Sequence, residues 1–389
     1  MQSKISNYSA MKLLLINYEY PPLGGGAGNA TFHIAKEMAK RGFEVFVLTS
    51  HFKGLKRYEE KDGVKIIRIP VIRRKIYQSN PLEMVTFILS GILKSFTIKK
   101  LNSSISIAFF SIPSGPIAYF LKKFFSIPYV IYSHGGDVPG FLSEQLWVYH
   151  KITLPFQKII LKNADGILCV SENLRELIRK HFGEMEIKVI PNGIDLETFK
   201  PEFKSTEEPI KFLFVGRLTI QKGLPYLMDA VKELKKLNKK FKVILVGDGP
   251  LKTEIQEMVK IRGLEEYVEF KGWISREELP ALYRKSDVFV LPSIDEGNPI
   301  VLLEALASGM PCIVTSLKGC VEFVKDGVNG FIVEQKNPSQ LADAMKKFLE
   351  EPDKILKMGK EARNSVENSG WGRRAEEIIE FLSERGLIE

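Results

Sequence analysis

The stretch Val288-Phe289-Val290-Leu291-Pro292-Ser293-Ile294-Asp295-Glu296-Gly297-Asn298-Pro299-Ile300-Val301-Leu302-Leu303-Glu304-Ala305-Leu306 carries most of the information in this chain. Its first four residues form a short apolar run of the kind found in strands buried on both faces. Pro292 and Ser293 end that run, Gly297 turns the chain, and the apolar pattern that follows predicts a helix. Strand, turn and helix in this order make one step of a parallel sheet, and such sheets bind ligands at the C-terminal ends of their strands. Glu296 then stands at a strand mouth, with Glu304 about two turns along the helix. Two carboxylates so placed can grip a long ligand whose anionic part docks on the helix N-terminus. The same spacing also fits two solvated acids, so the rest of the chain has to discriminate.

That step repeats throughout. Strands are expected at 12–17, 44–49, 64–70, 104–110, 129–133, 166–171 and 188–191. A second series follows at 210–216, 242–247, 268–272, 288–291, 311–315 and 330–333. Amphipathic segments such as 30–41 and 172–182 lie between them. The class is α/β, and 389 residues suit two doubly wound, Rossmann-like parallel-sheet domains better than one. The charged, proline-bearing segment 196–209 reads as a linker between domains at 1–195 and 210–370. The amphipathic end, 371–389, is expected to pack back on the first domain. Two such domains are expected to face each other across a cleft.

The formal charge of +9 is uneven. Residues 1–200 hold 27 Lys and Arg against 16 Asp and Glu, and residues 51–100 hold 12 against 4. This polarity favours an anionic acceptor or an anionic membrane surface against residues 51–100, with no nucleic-acid partner expected. Residues 84–93 are nearly all apolar but too few to span a bilayer. Arg73, Arg74, Lys75, Lys94, Lys99 and Lys100 flank them, which suits either an interfacial helix or a core-facing one. Cys169, Cys312 and Cys320 have no metal-ligand spacing and read as small buried hydrophobes. Low cysteine use and the lack of an export pattern lead us to expect a cytoplasmic protein, or one peripheral on the inner face of a membrane. Only eight glutamines occur, which favours a heat-adapted source.

Three loops at strand ends carry chemistry. Pro21-Pro22-Leu23-Gly24-Gly25-Gly26-Ala27-Gly28 lets backbone amides approach a ligand closely. It is not a dinucleotide fingerprint, because the third glycine would fall at Asn29 and the second strand ends in Thr49-Ser50 without an acid. Ser133-His134-Gly135-Gly136-Asp137 exposes a histidine at a strand mouth, with no nucleophile elbow anywhere in the chain. Gly216-Arg217 and Lys222-Gly223 bring two cations to a strand end, where they suit a diphosphate leaving group. Gly247-Asp248-Gly249-Pro250 reads as a tight turn nearby. No Asp-x-Asp pair occurs, so the site is expected to work without a metal or cofactor.

These motifs, with Val170-Ser171-Glu172 and Pro191-Asn192-Gly193-Ile194-Asp195, occur in an order that resembles the retaining GT-B glycosyltransferases of family 4 over residues 11–385. The resemblance implies a nucleoside-diphosphate sugar as donor substrate. It implies an acceptor that is a lipid-linked sugar, a polysaccharide or a small polyol. Glu296 would contact the sugar hydroxyls, Glu304 the nucleotide ribose, and Arg217 and Lys222 the diphosphate. Gly297, Asn298, Pro299 and Ile300 would line the donor site. His134 would lie by the reaction centre, and Gly25 and Gly26 would line the gap between donor and acceptor. Many relatives carry an aromatic soon after the first Glu, where this chain has Gly297-Asn298-Pro299, so the sugar is left open. A front-face mechanism fits the lack of a second carboxylate beside His134. The competing readings are a GT-B epimerase or hydrolase of nucleotide sugars and a non-catalytic nucleotide-sugar-binding subunit.

Overall fold

The computed structural model describes residues 8, 11–74, 80–141, 143–203 and 207–388. Most of the leader at 1–10, and Lys75 of the basic flank, lie outside them. The chain divides into two compact units, Met1–Asn192 with Trp371–Glu389, and Gly193–Gly370.

In the first unit the apolar runs become β1 (Lys12–Ile16), β2 (Glu44–Ser50), β3 (Tyr58–Lys61), β4 (Val64–Ile69), β5 (Ile105–Phe109), β6 (Tyr129–Ser133), β7 (Gly166–Cys169) and β8 (Lys188–Val189). Their order is β3-β4-β2-β1-β5-β6-β7-β8, parallel except for the β3–β4 pair. Leu14 of β1 lies opposite Phe46 on one side and Ser106 on the other. The helices are α1 (Gly26–Lys40), α2 (Pro81–Ile98), α3 (Gly115–Phe125), α4 (Ser143–Asn163) and α5 (Glu172–Phe182). Leu13, Leu14, Leu15 and Ile16 have no solvent exposure, as expected for a strand covered on both faces.

Two details differ from the sequence reading. The β3–β4 hairpin is unexpected because Glu59, Glu60 and Lys61 show no apolar alternation. Its signal is the turn Asp62-Gly63, where both residues have positive φ. Helix α1 also starts at Gly26, inside the glycine loop, and not at residue 30.

The second unit holds β9 (Ile210–Val215), β10 (Phe241–Val246), β11 (Val268–Gly272), β12 (Val288–Leu291), β13 (Cys312–Thr315) and β14 (Gly330–Val333). All pairs are parallel, in the order β11-β10-β9-β12-β13-β14. Chain direction across the sheet therefore reverses between β9 and β12, the place where doubly wound sheets hold ligands. Helices α6 (Leu224–Leu234), α7 (Lys252–Ile261), α8 (Leu279–Arg284), α9 (Ile300–Ala307), α10 (Lys318–Val321), α11 (Pro338–Glu350) and α12 (Asp353–Asn364) complete the unit.

The segment read as a linker packs on this second unit over its described residues. Phe199 is buried with its ring 5.6 Å from Tyr283. Arg363 Nη1 donates to the carbonyls of Leu196 (3.3 Å), Phe199 (3.0 Å) and Ala307 (2.9 Å). Buried apolar surface and charge-assisted bonds outweigh the polar composition that suggested a linker. The last helix, α13 (Trp371–Glu384), belongs to the first unit and packs on α1. Arg41 Nη2 donates to Gly372 O at 2.8 Å and to Glu376 Oε1 at 3.0 Å, and Trp371 stacks on His33.

Candidate active site

In the second unit, the loops leaving β9 and β12 are joined backbone to backbone. Gly223 has φ +64°, and a Cβ there would sit 1.9 Å from Pro292 O, so no other residue fits. Ile294 N donates to Gln221 O, and Gln221 Nε2 donates to Asp295 O, both at 2.8 Å. Gly247-Asp248-Gly249 backs the same loop, with Leu218 N bonded to Asp248 O at 3.0 Å.

This frame holds a charged clasp. Lys222 Nζ donates to Glu296 Oε1 at 2.5 Å, and Ser293 Oγ donates to the same oxygen at 2.7 Å. Thr315 Oγ1 fixes Ser293 in turn by donating to its carbonyl at 2.6 Å. Glu296 is only 6% exposed, so the pair is strengthened by its dry surroundings and its geometry is tightly set. Arg217 leaves β9 beside Lys222, is exposed, and has no ion-pair partner among the described residues.

Helix α9 begins at Ile300, preceded by an extended Pro299. Gly297, Asn298 and Pro299 stay non-helical, so Glu304 lies one turn into the helix and not two. The start of α9 has no side-chain cap and no acid in its first turn, and with Leu302 N bonded to Pro299 O at 3.0 Å the amides of Ile300 and Val301 are the ones left for an anion. A Cβ on Gly319 would lie 2.1 Å from Gly297 O, so α10 presses against this turn.

Glu304 is buried at 3% exposure and is not a solvated acid. Tyr283 Oη donates to Glu304 Oε2 at 2.9 Å, and Arg276 Nη2 stands 3.7 Å from Oε1. Burial pushes the Glu304 carboxyl upward, opposed by Arg276 and the Tyr283 hydrogen bond.

The first unit is built differently. Gly25 and Gly26 are exposed at the start of α1, which has no side-chain cap. Glu19 Oε2 accepts from Gly25 N at 3.1 Å, and Asn17 Oδ1 accepts from Glu19 N at 3.0 Å. His134, at the end of β6, is wrapped by Tyr132, Phe109 and Phe110, with ring centroids 4.6, 5.5 and 5.8 Å away. The residue keeps some accessible surface, but its Nε2 is buried with no hydrogen-bond partner. Burial drives the imidazole down to about 3, so it is neutral near pH 7. Asp137 has both oxygens committed, Oδ2 to Ser111 N at 2.6 Å and Oδ1 to Ser133 Oγ at 2.8 Å. Its role is to clasp the strand mouth.

Arg217, Lys222, Glu296, Gly297, Asn298, Pro299, Ile300 and Glu304 therefore gather at the sheet reversal of the second unit. Gly25, Gly26 and His134 stand at strand ends of the first. Among the described residues no group of three or more His, Cys, Asp or Glu side chains stands ready to hold a metal.

Residues 195–365 match the family model for glycosyl transferases group 1, and residues 24–198 match that for Glycosyltransferase Family 4. An uncharacterised glycosyltransferase of Methanocaldococcus jannaschii is 30% identical over 85% of this chain and 87% of its own. This chain belongs to the group 1 glycosyltransferases. A second relative is the UDP-Gal:alpha-D-GlcNAc-diphosphoundecaprenol alpha-1,3-galactosyltransferase of Escherichia coli. It is 33% identical over 54% of this chain and 55% of its own. The solved sucrose-phosphate synthase of Thermosynechococcus elongatus has the same GT-B fold. It superposes with a TM-score of 0.83 at 21% identity, covering 96% of this chain and 98% of that one.

Four supporting residues of this glycosyltransferase escaped the sequence reading: Ser293, Thr315, Tyr283 and Arg276. Ser293 stood in the quoted stretch, where its polarity beside a buried acid was the only signal. Thr315, Tyr283 and Arg276 come from other elements and act through tertiary packing, which leaves no local spacing to detect.

Proposed function

We propose that this glycosyltransferase moves a sugar from a nucleoside-diphosphate sugar to a hydroxyl acceptor with retention at the anomeric carbon and without a metal. The observation that carries this reading is the Lys222–Glu296 clasp beside the open start of α9. Arg217, Lys222 and the α9 amides supply positive charge for a diphosphate. Glu296 is held for the sugar hydroxyls, and Glu304 for the ribose. In the transfer, the bond from the anomeric carbon to the diphosphate oxygen breaks and a bond to the acceptor oxygen forms on the same face. The departing diphosphate takes the acceptor proton. The enzyme's share is positioning and charge stabilisation.

Two features favour this path over a covalent intermediate. Both Asp137 oxygens are engaged, and Glu296 Oε1 is spent on Lys222 and Ser293. A neutral His134 serves as a hydrogen-bonding group and not as a cationic acid. The name of the Escherichia coli relative carries a UDP-sugar donor and a lipid-diphosphate acceptor, and both are the first choices for this chain.

The test is a panel of UDP-, GDP- and ADP-sugars with lipid-linked, polysaccharide and polyol acceptors, with and without a chelator. Product configuration is read by NMR. Inversion at the anomeric carbon would sink the retaining mechanism, and loss of activity with chelator would sink metal independence. Donor turnover without acceptor would favour a hydrolase or epimerase.

A further inference from the structure

Three adjacent helices of the first unit turn an apolar face outward. On α2, Leu82, Val85, Leu89, Leu93 and Phe96 are 49–73% exposed. Their spacing of three, four, four and three residues puts them on one stripe. The opposite face of α2 is ordinary core, with Phe87, Gly91 and Ile98 buried. Gly91 permits close contact with α3, since a Cβ there would lie 2.2 Å from Ile117 Cδ1. By length and composition Pro81–Leu101 could cross a bilayer, but this packed inner face holds α2 against the unit's surface. An ordinary surface helix carries polar residues where α2 carries its stripe.

The stripe has company. Helix α2 packs on α3, and α3 on α4. Phe124 of α3 is 60% exposed, and Ile152, Phe156 and Ile159 of α4, again at helical spacing, are 49–65% exposed.

Among the described side chains, the exposed charges on this layer have one sign. Lys94, Lys99 and Lys100 lie along and beyond the end of α2, Lys123 on α3, and Lys151, Lys158 and Lys162 on α4. Glu83 is the one acid among the described side chains of the three helices. It is 5% exposed and bonded to the backbone of Asn80 and Arg74. A cavity of about 270 Å³ opens between β4 and the end of α2. Ile67, Ile69, Pro70 and Ile98 line it, with Arg57 and Lys94 beside them.

We propose that the α2–α3–α4 face docks on an anionic lipid bilayer. The α2 stripe lies in the plane of the interface, the lysines meet lipid phosphates, and the basic, apolar cavity receives one anionic lipid. The charge pattern selects this occupant. Two copies of the face would bring like charges together, whereas an anionic surface is complementary.

The test uses the full chain in sedimentation with phosphatidylcholine vesicles, with and without phosphatidylglycerol. The expected result is binding to anionic vesicles that weakens at high salt and falls at least tenfold on neutral ones. L89E/L93E should lose binding. K94E/K99E/K100E should weaken it about a hundredfold or more, from about fivefold per lysine. All these positions are exposed or half-exposed, so both variants should keep the wild-type melting temperature and donor binding. Wild-type protein that ignores anionic vesicles, or an L89E/L93E variant that sediments like wild type, would overturn the proposal. So would a dimer, seen by ultracentrifugation, that L89E/L93E converts to monomer while neither form binds vesicles. The proposal stands or falls separately from the donor chemistry, because nucleotide binding is scored without lipid.

Discussion

The two units put their functional side chains at the same topological address, the C-terminal ends of parallel strands, and then dress them in opposite ways. In the second unit the groups are charged and answered. Glu296 meets Lys222 and Ser293, and Glu304 meets Tyr283 and Arg276. In the first unit His134 sits among aromatic rings with Nε2 unanswered, and the nearby acid, Asp137, is consumed by Ser111 and Ser133. Prearranged charge suits an anionic ligand such as a diphosphate. A dry, neutral surface suits a ligand that presents hydroxyls. On this view the contrast between the units is a contrast between donor and acceptor.

Breaking the charged side should produce the largest effects. Lys222→Ala leaves Glu296 buried without its cation, which should cost about 3 kcal/mol of stability and at least a hundredfold in turnover, read by denaturant unfolding and initial rates. Glu296→Gln and Arg217→Ala should each lower kcat by about 10²-fold, the scale of one lost charged stabiliser, with the melting temperature close to wild type for Arg217→Ala and lowered for Glu296→Gln, which leaves buried Lys222 without its carboxylate. Near-wild-type rates in both would remove the second unit from the chemistry.

A smaller effect separates the two acids. Tyr283→Phe removes the bonded donor to buried Glu304 and should destabilise the fold by about 1–2 kcal/mol. If Glu304 reads the ribose, the donor KM rises several-fold while kcat changes less. A KM that stays fixed would leave Glu304 a purely structural acid.

The contrast was half legible in the sequence. Arg217, Lys222 and Glu296 could be read because each closely follows a strand, so that local spacing fixes its address, while Glu304 was placed on the right helix but a turn too far along it. The parallel sheets were legible for the same reason, since runs such as Val288–Leu291 have no polar residue to face solvent. Tyr283 and Arg276 were not legible, because their contact with Glu304 depends on how α8 and the loop before it pack against α9. The polar text of 196–209 hid one buried aromatic, Phe199, whose packing joins the segment to the second unit. The neutral state of His134 was hidden too. It comes from Phe109, Phe110 and Tyr132, and the first two of these arrive on a neighbouring strand and its end.

That neutral state gives the smallest but sharpest prediction. The folded His134 resists protonation until about pH 3, while an unfolded histidine takes a proton near 6.5. The unfolded state therefore binds more protons between those values. The stability that His134 contributes is fully present above pH 6.5 and is lost as pH falls toward 3, by about 1.4 kcal/mol per pH unit. Burial raises Asp137 and Glu304, which act with the opposite sign and gain stability as pH falls, so the wild-type profile alone is ambiguous. The difference between wild type and His134→Gln cancels those carboxyls. Urea unfolding at pH 7 and pH 5.5 should show wild type losing about 1.2 kcal/mol relative to the variant over that interval. A difference that does not change with pH would mean that the imidazole titrates as if in water. The aromatic enclosure would then be wet, and a dry, neutral strand mouth would no longer set the first unit apart from the second.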